Sequence, residues 1–281
     1  MEHITTYISD QLKDFYPPEE IRSMIRILLT KICGLSHNQQ ILCKDTHIPE
    51  KRKNRIYKIV DRLKKMEPLQ YILGETEFYN CHIVLSPATL IPRQETEELV
   101  DIIIKENTGY SGQIVDIGTG SGCIAVALAK NISGASVFGT DFSAEAIDIA
   151  KHNASINNVK IDFINEDIFK PSKIFLLNAG IIVSNPPYVR NSEKAFMHRN
   201  VLDYEPATAL FVDDANPLVF YETILEIAVK ILQIGGKIYF EINEALGSEM
   251  SDLLENFGYT DIKLINDING KERFIKGTKN G

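Results

Sequence analysis

The tetrapeptide Asn185-Pro186-Pro187-Tyr188 follows the apolar run 181–184, so it lies where a buried strand is expected to end. The asparagine offers a side-chain carbonyl oxygen. The prolines fix φ and remove backbone donors, which leaves the Pro186 carbonyl as a second acceptor. Two acceptors directed at one planar NH2 group would hold it in plane, and we expect Tyr188 to stack on the conjugated amine. The alternative is a Pro-Pro turn that leaves a strand with the asparagine as its cap.

A glycine-rich loop follows the strand predicted at 114–117. The loop residues are Gly118, Thr119, Gly120, Ser121 and Gly122. Glycines at such a strand-to-helix turn let the backbone turn tightly and approach a ligand closely. Asp141 ends the next predicted strand, where a carboxylate can accept hydrogen bonds from both hydroxyls of a ribose. The pattern predicts an adenosine-like ligand at the carboxyl edge of the sheet, the alternative being an ordinary turn.

The loop departs from the dinucleotide fingerprint G-x-G-x-x-G, because Cys123 stands in the last position. Asp116 precedes the loop and is expected to place a negative charge where a pyrophosphate would be repelled and the amino group of S-adenosylmethionine tolerated. After the third strand, Asp167 is expected to meet the exocyclic amine of adenine and Ile168 its ring. A helix or turn cap is an equally open alternative for Asp167. The predicted cofactor residues are Gly118, Thr119, Gly120, Ser121, Gly122, Asp141, Asp167, Ile168 and Asn185.

An S-adenosylmethionine site beside an NH2 cradle predicts methyl transfer to nitrogen. The sulfonium methyl is already activated, so no metal is required and alignment should supply most of the acceleration. Positive charge reaches the amine nitrogen as the bond forms. The oxygens of Asn185 and Pro186 would therefore bind the transition state more tightly than the ground state.

Composition narrows the class of protein. The 281 residues are 44% hydrophobic, enough for a sizeable core and two domains. No apolar run reaches the ~18 residues of a membrane span, and the N-terminus lacks a secretory pattern. The longest apolar candidate, 174–183, is interpreted as a central strand. Cysteines 33, 43, 81 and 123 show no paired spacing, which favours a reducing cytoplasm and disfavours a metal site.

The net charge of −8 disfavours a generic nucleic-acid binder. Residues 51–65 nevertheless carry eight Lys and Arg side chains. This run could meet an acidic partner, although such runs are more often the solvated face of a helix.

The chain divides into a helical first third and an α/β remainder. Apolar residues recur at helical spacing up to Met66, and 69–90 reads as a strand pair that connects the two parts. We expect a domain boundary near residue 85, with a helical domain over 1–85 and a catalytic domain over 86–281. After Pro92, strands and helices alternate, which predicts a mainly parallel Rossmann-like sheet with helices on both faces. Asn269-Gly270 predicts a terminal antiparallel hairpin.

Together these residues resemble the class I S-adenosylmethionine-dependent methyltransferases, and more narrowly the release factor N5-glutamine methyltransferases of the PrmC/HemK family. The resemblance covers essentially the whole chain. Its motifs, in order, are Glu67–Gly74 with Glu77-Phe78, Leu90–Arg93 with Glu95–Glu97, Asp116–Gly122, Asn185–Tyr188, Glu205-Pro206 with Ala209-Leu210, and Gly270 with Glu272-Arg273. Two positions depart from it: Gln94 replaces a usual proline, and Ile168 stands where an aromatic is common.

The resemblance implies a helical N-terminal domain that helps to hold a release factor. It also implies a catalytic domain that methylates the glutamine of the Gly-Gly-Gln motif and releases S-adenosylhomocysteine. Asn185 and the prolines would orient the glutamine amide. No membrane and no stable nucleic-acid partner is expected.

Three competing interpretations remain at this point. An adenine-N6 or guanine-N2 methyltransferase acting on DNA or RNA would need the same cradle, and the basic run 51–65 favours it. A nicotinamide-dependent oxidoreductase is disfavoured by Cys123 and the terminal hairpin. A binding module without activity is disfavoured by the intact cradle.

Overall fold

The computed structural model describes residues 1–42 and 46–281. In chain order the helices are α1 (Glu2–Leu12), α2 (Pro18–Lys31), α3 (His37–Leu42), α4 (Glu50–Leu63), α5 (Leu69–Leu73), α6 (Gln94–Glu106), α7 (Cys123–Asn131), α8 (Ala144–Ile156), α9 (Arg199–Tyr204), α10 (Val219–Ile231) and α11 (Gly247–Asn256). The strands are β1 (Glu75–Phe78), β2 (Cys81–Val84), β3 (Gln113–Ile117), β4 (Ser136–Asp141), β5 (Ile161–Asn165), β6 (Ala179–Ser184), β7 (Val189–Arg190), β8 (Phe211–Val212), β9 (Leu232–Glu241), β10 (Tyr259–Asn266) and β11 (Glu272–Lys279).

Residue contacts divide the chain into two units. The helical unit comprises 1–73 and 198–204, and the sheet unit comprises 74–197 and 205–281. The predicted connector forms the antiparallel pair β1–β2, which belongs to the sheet unit.

The helical unit is built from amphipathic helices around one apolar core. The buried side chains of α4 are Ile56, Ile59, Val60 and Leu63. Ser36 caps α3: its hydroxyl accepts from the Gln39 backbone N–H, and its own N–H donates to the Gln39 side chain. The basic residues Lys51, Arg52, Arg55, Lys58, Arg62 and Lys65 are exposed, as expected for a solvated helix face.

The sheet unit contains a seven-stranded sheet in the order β10-β11-β9-β6-β3-β4-β5. The pairs β9–β6, β6–β3, β3–β4 and β4–β5 are parallel, whereas β11 pairs antiparallel with both β9 and β10. The fold is therefore the predicted mainly parallel Rossmann-like sheet with a terminal hairpin. β6 is its central strand, and all six of its residues are buried.

Helices cover both faces of this sheet. On one face, α10 and α11 join β3, β6 and β9 in one core cluster, to which they contribute Tyr221, Leu225, Met250 and Leu254. The helices α6, α7 and α8 neighbour one another and contact β9, β4 and β5. Successive strand residues point to opposite faces of the sheet, so the side chains that point away from α10 and α11 face this second layer of helices.

Several local expectations differ from the structure. Ile174–Leu176 is a 3₁₀ turn and β6 begins only at Ala179, because Asn178 interrupts the apolar run. No helix was predicted at the positions of α5, α6, α9 and α11. Cys33, Cys81 and Cys123 are buried free thiols, and Cys43 lies outside the described residues. No helix in the described ranges is long and apolar enough to cross a membrane.

Asp116 is fully buried within β3, so its carboxyl is not exposed at the edge of the sheet. One carboxylate oxygen accepts from the Thr119 hydroxyl at 2.6 Å. The other has no hydrogen-bond partner within the described chain. Burial raises the pKa of the Asp116 carboxyl from 3.8 to about 7, although hydrogen bonds from Thr119 and the Ala125 backbone oppose the shift.

We expect this carboxyl to make the free energy of unfolding fall as the pH rises from about 4 to 7. The folded state holds its proton more tightly than the unfolded state, so its stabilising contribution is present below pH 3.8 and lost as the pH rises through about 7. The shift corresponds to at most about 4 kcal/mol. Asp116→Asn should flatten the pH dependence of urea unfolding and gain stability relative to wild type at pH 8. Asp162→Asn, on the exposed part of β5, is the matched control, and equal slopes in both variants would contradict the assignment.

Candidate active site

Strand register places the predicted polar residues in one row across the sheet. Ile117 of β3 is level with Thr140 of β4 and Ser184 of β6, and Ser184 is level with Phe240 of β9. The next residue along each strand is Gly118, Asp141, Asn185 and Glu241. Because parallel strands end at the same edge of a sheet, Gly118 of the loop, Asp141 and Asn185 are neighbours.

A cavity of about 690 Å³ opens at this edge of the sheet unit. Its volume lies within the range of small-molecule sites. The predicted residues that line it are Gly118, Thr119, Gly120, Ser121, Asp141, Asp167, Ile168, Asn185, Pro186 and Pro187. Gly122 and Tyr188 do not line it.

The three loop glycines have different roles, although φ is positive at each. A Cβ on Gly118 or Gly120 would meet nothing within 4 Å, which leaves space for a ligand against the backbone. A Cβ on Gly122 would lie 2.9 Å from the Ala150 Cβ and 3.2 Å from its Cα. Gly122 therefore permits close packing of α7 on α8.

Asp141 holds the glycine loop and also lines the cavity. Its two oxygens accept from the backbone N–H groups of Gly120 and Ser143, each at 2.9 Å. Burial raises the pKa of its carboxyl, and these two hydrogen bonds oppose the shift. Carboxylate oxygens carry further lone pairs, so Asp141 can still accept from a ligand hydroxyl.

Asp167 and Ile168 form another part of the wall. Asp167 accepts from the Phe169 backbone N–H at 2.9 Å, so it is a turn cap that also lines the cavity. Ile168 packs against the core cluster beneath the sheet edge.

The cradle residues differ in orientation. The Asn185 Nδ2 donates to the Thr96 hydroxyl at 3.2 Å, and within the described residues no hydrogen bond ends on its Oδ1. The Tyr188 hydroxyl points away from the cavity and donates to Glu241 at 2.9 Å. The ring of Tyr188 packs against the core cluster instead of presenting a face to the cavity.

Comparisons with known proteins identify the family. The PrmC N-terminal domain model matches residues 3–74, and the methyltransferase small domain model matches residues 94–204. A release factor glutamine methyltransferase of Bacteroides thetaiotaomicron is 42% identical over 99% of this chain and 100% of that protein. The chain belongs to the release factor glutamine methyltransferase family. A second member, from Flavobacterium psychrophilum, is 43% identical over 98% of both chains.

A solved structure supports the fold of this family member. The crystal structure of a methyltransferase from Pyrococcus furiosus aligns with a TM-score of 0.51 at 19% identity, covering 83% of this chain and 100% of that chain. Membership of a methyltransferase family implies a methyl-donor cofactor.

One position noted in the sequence, Gln94, is the first residue of α6. Proline is favoured at the first position of a helix because its φ suits the first turn and its missing N–H would be unpaired there. A glutamine or a proline therefore suits this helix start.

Several cavity residues were not predicted. Phe142, Phe169 and Phe220 line the cavity, and Phe142 is 61% exposed although it is large and apolar. Its place directly after Asp141 was the available signal. Arg93 also lines the cavity and forms an ion pair with buried Glu205 at 2.6 Å. Glu205 accepts in addition from the Ile91 N–H, so it joins the residues before α6 to the wall that begins at Pro206.

We expect Gly122→Ala to destabilise the family fold more than Gly118→Ala. Both substitutions force alanine to positive φ, which costs roughly 1–2 kcal/mol. Only Gly122→Ala adds a clash with the backbone of α8, and overpacking adds about 1–3 kcal/mol. Urea unfolding of both variants checks this. A Gly118→Ala variant as unstable as Gly122→Ala would contradict the different roles.

Proposed function

We propose that this chain transfers the methyl group of S-adenosylmethionine to the side-chain amide nitrogen of a release factor glutamine, the one in the Gly-Gly-Gln motif. The products are N5-methylglutamine and S-adenosylhomocysteine. The observation that carries the proposal is family membership over the full chain, together with Asn185 and Pro186 on the wall of the cavity.

The cavity residues fit the chemistry of S-adenosylmethionine, which supplies an activated methyl group when bound. Gly118 and Gly120 leave open space beside their Cα atoms, as a close-lying ligand requires. Asp141 offers acceptor oxygens for ribose hydroxyls, and Ile168 offers an apolar surface for a base. Phe142, exposed beside Asp141, adds a flat apolar surface for the same base.

Asn185 and Pro186 would bind the acceptor amide. A glutamine side chain presents an NH2 group with two hydrogens, and the Asn185 Oδ1 and the Pro186 carbonyl would each accept one of them. Both hydrogens become more acidic as the nitrogen is alkylated, so these acceptors stabilise the transition state more than the ground state. Asn185 would also form part of the wall of the cofactor site, because it lies level with Gly118 in the sheet.

We propose that the helical domain expected over 1–85 recognises the substrate and that the domain expected over 86–281 is catalytic, with the strand pair β1–β2 grouped by its contacts with the catalytic part. The match of 3–74 to the PrmC N-terminal domain supports the first. A translation-related activity supports a cytoplasmic location with release factors as the protein partner. The basic face of α4 is the region that best supports the alternative of an RNA or DNA substrate.

Labelled S-adenosylmethionine offered with an unmodified release factor, DNA and RNA tests the proposal. We expect label on the Gly-Gly-Gln glutamine, mapped by mass spectrometry, and none on nucleic acid. A release factor with Gln replaced by Glu is the matched control substrate. Label in nucleic acid alone would support the alternative and reject the protein substrate.

Asn185→Ala and Asp141→Ala should distinguish the residues that bind the acceptor amide from those that bind the cofactor. Asn185→Ala removes an acceptor for the substrate amine, so we expect turnover to fall by about 100-fold or more while calorimetric S-adenosylmethionine affinity changes little. Asp141→Ala removes the ribose acceptor and a support of the loop, so cofactor affinity should fall about 10-fold or more. The opposite pattern, with cofactor affinity lost only in Asn185→Ala, would reverse the two assignments.

A further inference from the structure

Two buried side chains, those of Thr96 and Glu241, connect the cradle to the neighbouring strand. The Asn185 Nδ2 donates to the Thr96 Oγ1 at 3.2 Å, and the Thr96 hydroxyl donates to the Glu241 Oε2 at 2.7 Å. The Tyr188 hydroxyl donates to the other oxygen, Oε1, at 2.9 Å. Glu241 is 1% exposed and Thr96 3% exposed, so solvent does not replace these partners.

The direction of each hydrogen bond between Asn185, Thr96 and Glu241 follows from the carboxylate of Glu241. An ionised Glu241 can only accept, and Thr96 has one hydroxyl proton, which it gives to Glu241. The Thr96 oxygen is then left with lone pairs alone toward Asn185. Asn185 must therefore present its NH2 group to Thr96, and its carbonyl oxygen faces the other way.

A rotated amide would be unfavourable. Turning Asn185 by 180° about its last side-chain bond would set its Oδ1 against the Thr96 oxygen, two acceptors with no proton between them. It would also present an NH2 group to the substrate NH2, a pairing of two donors. The orientation of a single amide thus decides whether the cradle attracts or repels its substrate.

We propose that Glu241, through Thr96, is the positioning group that fixes the amide of Asn185 with its carbonyl toward the substrate nitrogen. This inference rests on the proposed function, since it assigns an orientation to the acceptor named there. Tyr188 belongs to the same group of hydrogen-bonded residues, because its hydroxyl donates to the second carboxylate oxygen of Glu241. Its contribution to the reaction comes from its hydroxyl and not from ring stacking.

The groups around Glu241 act in opposite directions on the charge of its carboxyl. Burial raises the pKa of this carboxyl, and the charge of Glu95 acts in the same direction. The hydrogen bonds from Thr96 and Tyr188 and the positive charge of Arg273 oppose that rise. Arg273 lies on β11, the strand beside β9, and donates to the Ile242 carbonyl at 3.3 Å.

Thr96→Val and Thr96→Ser form the matched pair that tests the inference. Valine has the shape of threonine without the hydroxyl, whereas serine keeps the hydroxyl. We expect Thr96→Val to lower kcat for release factor methylation by about 10- to 100-fold, with a smaller change in KM and an unchanged calorimetric affinity for S-adenosylmethionine. Thr96→Ser should recover most of the turnover. Equal kcat in the two variants would overturn the proposal.

A double-mutant comparison separates positioning from simple packing. In an Asn185→Ala background there is no amide to orient, so Thr96→Val should change single-turnover methyl transfer by less than about threefold. The same factor of loss with and without Asn185 would overturn the inference and indicate a structural role. Thermal unfolding of every variant identifies losses that arise from stability.

Tyr188→Phe distinguishes the hydroxyl from the ring. We expect kcat to fall by about 10-fold, because Glu241 loses one donor while the aromatic ring remains. A fully active Tyr188→Phe would overturn the part assigned to Tyr188. Failure of the proposed function has a separate signature, since wild type would then leave the release factor unlabelled.

Discussion

The parallel pairing of β9, β6, β3 and β4 is the constraint on which the site depends. Each strand contributes one residue at the same level of the carboxyl edge, namely Glu241, Asn185, Gly118 and Asp141. A slip of one residue in any pair would turn these side chains toward the other face of the sheet. Strand β6 pairs with β3 on one side and β9 on the other, and all six of its residues are buried, so the packing of the core sets the geometry of the chemistry.

Loops and the first residues of helices complete the wall of the cavity beside the strand ends. The glycine loop approaches the cavity through Gly118 and Gly120, whereas Gly122 is reserved for helix packing. Glu205 ties the start of α6 to the wall after it through Arg93 and the Ile91 N–H. The start of α6 and the wall that begins at Pro206 are thus joined through one buried carboxylate, that of Glu205.

Most of the architecture was predictable, because it follows from local periodicity and turn residues. Strand and helix alternation after Pro92, the Asn269-Gly270 turn and the motif from Asn185 each carry a short-range signal. The residues that form hydrogen bonds with those motifs carry no such short-range signal in the sequence. Thr96 and Glu241 lie 145 positions apart and meet because helix α6 packs on strand β9. Tyr188 was interpreted as a stacking face because its neighbours along the chain suggested it, and its hydroxyl partner lies on another strand.

Asp116 and Glu241 show how partners decide the charge of a buried carboxyl. Both lie in the central strands and both are inaccessible to solvent. Asp116 has one oxygen without a hydrogen-bond partner among the described residues, and burial raises its pKa to about 7. Glu241 has a hydroxyl donor on each oxygen and Arg273 nearby, so its ionised form is compensated in place. Thr96 and Tyr188 both donate to Glu241, and Thr96 in turn accepts from Asn185, so the hydrogen bonds of this carboxyl reach the cradle, whereas Asp116 accepts from the side chain of Thr119 in the glycine loop.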